Sequence, residues 1–367
     1  ARRITHYQWR IMADQLLSLC EREDAHAVAH LEWPYTVNRI RSIRVRPSSR
    51  RGQGEALPPG VYVVNYHAIV DPQTGHPWER GLTEFATRID RFKSHVEWLR
   101  AHATMVALTE LPALLAGGPL ERAYAAVTFD DGFRNVRDAA LPVLRQLGIT
   151  ATAFVNSSFA DGAVPPTILI AEIIRTGGFA AFARELKRRF GVVARKPKHL
   201  YRALKCAEDH AEIVEWIRAW GHDVATGPVH LSWDDIRALV AEGWAIGNHT
   251  ATHALLAALN LKEQAAEIEG MVDACARHGI PLVPWLAYPF GSSEHVNAAT
   301  LSWMSEHRDW FGAFCNGGVN VTPSRTEILR IGVADPDLED FVLTLVTAAR
   351  VMDQLKGRGR RAARGTA

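Results

Sequence analysis

The 367-residue chain is poor in cysteine: Cys20, Cys206, Cys275 and Cys315 are its only four, and they lie far apart. No CxxC pair or comparable spacing occurs, which excludes a zinc ribbon and a disulfide scaffold and leaves free, mostly buried thiols as the expectation. Long apolar runs are missing too. None reaches the roughly 18 residues that a bilayer-crossing helix needs, and the N-terminal IMADQLLSLC is interrupted by Asp14. Neither a membrane span nor a secretory leader is therefore expected. That absence favours a cytoplasmic location, or a periplasmic or cell-surface one if a leader has been removed ahead of Ala1. Charge of one sign is not in excess either: 42 Lys and Arg against 40 Asp and Glu give a net charge of +2, which implies no nucleic-acid partner. Internal repeats and extended low-complexity segments are absent.

What is present is the composition of an ordinary globular protein, 47% hydrophobic and 22% charged, enough for one large domain with additions or for two domains. Arginine is unevenly placed, in RIRSIRVRPSSRR from Arg39 to Arg51 and in KGRGRRAARG from Lys356 to Gly365. A solvated linker and a basic tail account for these runs, with contact to an anionic surface as the alternative.

From Gly60 onward the apolar pattern alternates between strand and helix. Strand-like VYVVNYHAIV is followed by a helical TEFATRIDRFKSHVEWLRAHA and the short MVALTEL; then come the strand YAAVTF, the helix DAALPVLRQLG and the strand ITATAFVNSSF. The pattern continues with helix DDIRALVAEG, strand WAIGNHT, helix KEQAAEIEGMVDACARHG, strand WLAYPFG, helix AATLSWMSEH and strands FGAFCN and ILRIGVA. Such alternation predicts a mainly parallel sheet or barrel wrapped in helices, with functional residues at the C-terminal strand ends. Two segments stand apart. Residues 1–59 read as an N-terminal helix, around Tyr7 to Glu23, and an Arg-rich arm; the stretch of about 161–228 reads as a helical insertion; the main domain then spans 60–357 and a basic tail 358–367.

Two strand ends carry titratable clusters. YAAVTF runs into Asp130, Asp131 and Gly132, and WAIGNHT runs into His249 and His253. Adjacent carboxylates repel when both are ionised. The histidine spacing of four places both imidazoles on one face if the chain turns helical after Asn248. Two imidazole nitrogens and one carboxylate oxygen suit Zn²⁺ and leave a fourth position open. With a cation on Asp131, the repulsion is offset and Asp130 is left to take a proton. Alone, a DDG is most often a turn and an HxxxH pair two ordinary histidines. Both following strands of one alternating sheet makes the combination specific.

TFDDG at Thr128 to Gly132 and HTATH at His249 to His253 resemble the first two motifs of the polysaccharide deacetylases, carbohydrate esterase family 4, the NodB homology domain. The resemblance covers roughly Gly60 to Ala334 and implies a distorted (β/α) barrel. It implies a divalent metal, usually zinc, on Asp131, His249 and His253, with Asp130 as catalytic base and an acetylated carbohydrate as substrate. Where the family's third motif usually carries an arginine, this chain has Ala287, then Tyr288, Pro289 and Phe290, which with Arg330 are the substrate-binding candidates; Phe290 would line the acetyl pocket, and Arg330 in ILRIGV is the candidate replacement cation. No Leu-x-His lies near the C-terminal end for the general acid. Deacetylases of the poly-N-acetylglucosamine type look circularly permuted, with that histidine on an early strand reading YH, and VVNYHAIVD places His67 there. A hydrogen-bonded histidine at a strand end is the alternative. The resemblance implies an N-deacetylase acting on an amino sugar. An O-acetyl esterase, a deacetylase of a small or lipid-linked glycoside, or a non-catalytic carbohydrate-binding homologue are the rivals. Trp78, Trp233 and Trp303 are candidate sugar-stacking platforms.

Overall fold

Nine strands form one sheet in a computed structural model that describes residues 56–73, 79, 86–165, 168, 173, 177–194, 210–220, 228–291, 295–314 and 317–350. The Arg-rich runs, all but the last four residues of the N-terminal arm, the tail from 351, Trp78 and Cys20, Cys206 and Cys315 lie outside the described residues. The strands are β1 (Gly60–Tyr66), β4 (Thr104–Met105), β5 (Ala123–Phe129), β6 (Thr152–Val155), β7 (Ala245–Asn248), β8 (Leu282–Ala287), β9 (Phe311–Phe314), β10 (Ile328–Leu329) and β11 (Ile331–Gly332). Their order is β10-β9-β8-β7-β6-β5-β1-β11, with β4 also on β5, and every pairing is parallel.

The two ends of that order meet at one residue. β10 pairs with β9 and β11 pairs with β1, and only Arg330 separates β10 from β11. Asn320 spans the seam: its Nδ2 donates to the Leu329 carbonyl at 2.8 Å and to the Val61 carbonyl at 3.3 Å, and its Oδ1 accepts from the Leu329 N–H at 2.9 Å. The sheet is a nearly closed, distorted (β/α) barrel, the form the family resemblance implies, and parallel as the strand–helix alternation predicts.

Side-chain alternation sorts the residues into two layers. Val61, Val63, Ala126, Phe154, Trp285, Ala287, Ala313 and Ile328 share the barrel interior, while Tyr62, Val64, Tyr66, Ala125, Val127 and Phe129 pack outward against the helices. Close approach inside the barrel needs glycine at Gly312, where a Cβ would stand 1.9 Å from the Tyr288 hydroxyl. The outer helices carry their own stop signals. Leu261–His278 opens on a reciprocal capping box between Asn260 and Glu263 and closes at Gly279, φ 65°.

Several sequence boundaries shift. VYVVNYHAIV is not one strand: it breaks at His67, and Ala68–Val70 (β2) leaves the barrel to pair with Ala86–Arg88 (β3), so the following helix begins at Ile89 and not before Ala86. ITATAFVNSSF stops being strand at Val155 and turns helical over Ser157–Ala160. Within the stretch expected to be an insertion, the helices Phe179–Phe190 and His210–Trp220 build a small core of their own from Phe182, Leu186, Ile213 and Ile217. The segment leaves the barrel after β6 and returns beside the DDG turn, where the Leu231 N–H donates to the Gly132 carbonyl at 2.9 Å and the Arg134 N–H to the Val229 carbonyl at 2.9 Å.

Candidate active site

Parallel pairing puts Asn65 beside Thr128, and alternation turns both side chains, with Asp130 one step further on, toward the barrel interior. The Asp130 N–H donates to the Tyr66 carbonyl at 2.9 Å, so Asp130 still follows the β1–β5 ladder. There it meets the seam residue. Arg330 donates from one terminal nitrogen to Asp130 Oδ1 at 2.7 Å and from the other to Oδ2 at 2.9 Å. The guanidinium is fully buried, 5.0 Å from the Phe154 ring centroid. A buried charge persists only with such partners.

Asp131 does not continue the strand. Its φ is 68° and that of Gly132 is 64°, so two successive left-handed residues swing the chain away from the position alternation would give it. The histidine segment is built the same way. No helix follows Asn248: residues 249–255 are irregular, with φ of 69° at Thr250 and 59° at His253. The expected single helical face is thus replaced by a fixed loop. Its backbone is held by Asn156 Nδ2 on the Thr250 carbonyl at 3.0 Å and by Thr252 on Glu267. Asn248 Oδ1 accepts from the Thr250 N–H at 2.7 Å, and Thr250 Oγ1 from the His253 N–H at 3.1 Å. Asn and Asp side chains commonly organise such turns. The fourth non-glycine residue with positive φ among the described residues is Phe290, at 64°. All four lie at the C-terminal ends of β5, β7 and β8, and such strain concentrates where function over-determines the backbone.

Asp131 Oδ1 stands 3.3 Å from His249 Nε2 and 3.3 Å from His253 Nε2. His249 Nδ1 is 2.8 Å from the Ala287 carbonyl, which can only accept, so that nitrogen carries the proton and Nε2 of the neutral ring presents a lone pair to the carboxylate. Asp131 Oδ1 is buried and receives no hydrogen bond among the described residues. Three electron-pair donors thus converge, with their ligand atoms within 4.8 Å of one another. The donor set fits a divalent cation, and the His249–carbonyl contact is the kind of support that orients a ligating imidazole.

The charges agree with this sorting. Burial pushes the Asp130 carboxyl up, but the charge of Arg330, then of His249, and the Arg330 hydrogen bonds more than offset it and hold the group below its ordinary range. Burial also opposes ionisation of Asp131, and the charges of His253, His67 and His249 bring it far below the usual carboxylate range. His249 moves the other way: burial pushes it down, and the charges of Asp130 and Asp131 bring it above the ordinary value. The two carboxylates thus favour positive charge between themselves and the imidazoles, which a proton on His249 or a cation on the neutral donors would supply.

His67 is half-buried at the break between β1 and β2, and its charge is among those acting on both carboxylates. Phe290 is half-buried, its ring edge-on to His253 at 4.6 Å. Tyr288 and Pro289 are buried; the Tyr288 hydroxyl donates to the Thr326 carbonyl at 3.2 Å and its ring fills the space over Gly312. The side chain of Tyr288 is therefore a packing element and not the substrate contact that YPF suggested. Arg330, grouped with the substrate contacts from sequence, has no surface to offer a substrate and acts on Asp130. Two of the three tryptophan platforms also fail: Trp233 stacks on His278 at 4.3 Å and donates to Asp161, and Trp303, 3% exposed, stacks on His307 at 3.8 Å.

Two residues were missed. Asn65 donates from Nδ2 to Asp130 Oδ2 at 2.9 Å. His230, stacked on Phe133 at 5.0 Å and near Phe159 at 4.7 Å, is pushed by burial down to about 4 beside the DDG turn. Neither has a local motif; only the β1–β5 register or the return path of the insertion brings them in.

Residues 117–307 match the polysaccharide deacetylase family, a span that holds both aspartates, both histidines and the YPF segment but neither His67 nor Arg330. Among solved structures, the Streptococcus pyogenes deacetylase PplD, in complex with acetate, is 16% identical with a TM-score of 0.53 over 78% of this chain and 99% of that one. IcaB from Ammonifex degensii is 18% identical with a TM-score of 0.49, over 80% of this chain and 99% of its own. A polysaccharide deacetylase from Bacillus cereus is 18% identical with a TM-score of 0.48, over 78% and 69%. The likeness to PplD shows the fold. With its family match spanning just over half of its length, the chain belongs to the polysaccharide deacetylase family, whose reaction removes acetyl groups from carbohydrates.

Proposed function

We propose that the protein is a metal-dependent N-deacetylase that hydrolyses the acetamide of an amino-sugar polysaccharide or oligosaccharide, releasing acetate and a free amine. The observation that carries this reading is the unequal environment of two adjacent carboxylates: Asp131 faces the Nε2 atoms of His249 and His253, each at 3.3 Å, while Asp130 is held by Arg330. Asp131, His249 and His253 would hold the cation, for which Zn²⁺ is the best match to the donor set. When bound, it would polarise the acetyl carbonyl and lower the pKa of a coordinated water from 15.7 toward about 7.

Asp130 takes the proton of the attacking water. Arg330 keeps that carboxyl ionised beforehand and stabilises it in one orientation, as the arginine of the third motif would have done from β8. Phe290 walls the acetyl methyl against His253. Its backbone N–H, in the left-handed turn after β8, lies on the strand-end face where negative charge develops on the carbonyl oxygen. His67 protonates the departing amine; an imidazole can both carry and release a proton. The poly-N-acetylglucosamine type is the fitting subgroup because β1, which ends one residue before His67, pairs directly with β5, which ends one residue before Asp130. The insertion, with both ends at the strand-end face, walls one side of the cleft.

The test is acetate release from acetylated chito-oligosaccharides, with and without a chelator. Release that stops on chelation and returns with Zn²⁺ supports the reading. Release that is unaffected by chelation contradicts the metal, and release only from O-acetylated substrates contradicts the amide specificity.

A further inference from the structure

Asn65 lies on β1, one step before the Tyr66–His67 pair and outside every motif that identifies the site. Its amide orientation is fixed by its neighbours. Oδ1 receives Arg330 at 2.8 Å and the Thr128 hydroxyl at 2.9 Å, and Nδ2 donates to Asp130 Oδ2 at 2.9 Å. Reversing the amide would set an NH₂ group against a guanidinium and a carbonyl oxygen against a carboxylate, so the chemistry admits only one placement.

Asp130 can then be counted out. A carboxylate offers two lone pairs on each oxygen. Both on Oδ2 are taken, one by Arg330 at 2.9 Å and one by Asn65 at 2.9 Å. Oδ1 receives a single hydrogen bond among the described residues, from Arg330 at 2.7 Å. The bidentate arginine treats the two oxygens alike, and Asn65 breaks the symmetry.

We infer that Asn65 is a positioning residue that makes Asp130 a one-sided base: it occupies Oδ2 and fixes the carboxylate plane, so that Oδ1 alone receives the proton of the attacking water. This rests on the deacetylase reading above. In the step itself the water O–H bond breaks, a new O–H bond forms at Asp130 Oδ1, and the electron pair left on the water oxygen forms the bond to the acetyl carbon while the C=O π bond breaks and its pair moves onto the carbonyl oxygen. The same Arg330 nitrogen that donates to Oδ1 also donates to Asn65 Oδ1. The amide therefore locks the arginine and the carboxylate in one plane, and Thr128, bonded in turn to the Val64 carbonyl at 3.0 Å, anchors it to the strand.

The experiment compares Asn65→Asp and Asn65→Leu with the wild type and Asp130→Asn, all zinc-loaded, on acetylated chito-oligosaccharides. Asn65→Asp keeps an acceptor for Arg330 and Thr128 but replaces the donor to Asp130 with a carboxylate oxygen that repels it; Asn65→Leu removes donor and acceptor at nearly the same volume and adds no charge. The expected result is a kcat about 10–100-fold lower in both, the size of one lost charge-assisted hydrogen bond to a reacting group. KM should stay within about 2-fold and zinc content should equal the wild type, because neither the substrate pocket nor the ligands are touched. A kcat within about 2-fold of wild type in a folded, zinc-loaded Asn65→Asp protein overturns the inference. So does a matched loss of kcat, KM and zinc content in both variants, which is the signature of a scaffold residue. Asp130→Asn separates this failure from that of the parent reading: if that variant also retains its activity, Asp130 is not the base and both fall.

Discussion

Asp130 and Asp131 are chain neighbours that belong to different regions of the molecule. Asp130 sits in the barrel interior, where strand alternation put it, and the hydrogen bonds of its carboxylate among the described residues come from Asn65 on β1 and from the seam residue Arg330. Asp131 sits on the strand-end rim, where a left-handed turn put it, facing two imidazoles from a loop that is itself built on left-handed residues. The difference teaches that two identical side chains acquire different chemistry from backbone geometry. A regular strand delivers one to a rigid cationic clamp. An irregular turn delivers the other to a cluster of electron-pair donors.

The comparison can be broken from either side. The largest effect should come from the rim: Asp131→Ala, His249→Ala or His253→Ala leaves two donors of three, and acetate release should fall to the uncatalysed background. Next comes the interior, where Asp130→Asn should lower kcat by about 10²–10⁴-fold, the usual contribution of a positioned general base. Arg330→Met strips the clamp and leaves a buried carboxylate without its counter-charge. It should cost about 3–5 kcal/mol of stability in denaturant unfolding, together with most of the activity. The His67→Ala protein should be folded, zinc-loaded and slower on amides by about 10²-fold or more, yet less impaired on an activated acetyl ester, whose leaving group needs little protonation. Equal losses on the two substrates would remove His67 from the mechanism.

The smallest effect belongs to a region outside both. His95, behind β1, accepts from the Tyr66 hydroxyl at 3.3 Å and donates to the Pro336 carbonyl at 3.1 Å, and burial pushes its pKa down to about 4. The unfolded chain, with a histidine near 6.5, binds the extra proton first as pH falls. Stability from this group is therefore complete above about pH 6.5 and is lost as pH drops toward 4. Between pH 7 and pH 5 the His95→Gln protein should lose less stability than the wild type, by up to about 2 kcal/mol in denaturant unfolding. Parallel pH dependences would show that His95 is charged when buried.

Much of the fold could be read from the sequence because its signals are local. Strand–helix alternation, the aspartate pair and the histidine spacing all announce themselves within ten residues or so, and the strand-end rule put them on one face before any coordinates. What escaped reading has a common cause. The left-handed turns at Asp131, Thr250, His253 and Phe290 carry residues that do not advertise positive φ, so the histidine loop was expected to be a helix. Arg330 was singled out, but its direction could not be known until β10 and β11 were seen to pair with opposite edges. Asn65 became visible only through a register that joins residues 63 apart, as its contact with Thr128 does. The boundary at His67 was hidden because apolar residues continue through it into β2.

The claim that the two aspartates hold different offices is tested most directly by metal analysis of two purified variants, Asp130→Asn and Asp131→Asn, reconstituted with Zn²⁺ and dialysed together. Asp130→Asn should keep about one equivalent of zinc with little turnover, since the removed charge lies in the arginine clamp and outside the donor set. Asp131→Asn should lose the zinc. Retention of wild-type zinc by Asp131→Asn, or its loss from a folded Asp130→Asn protein, would contradict the division of labour.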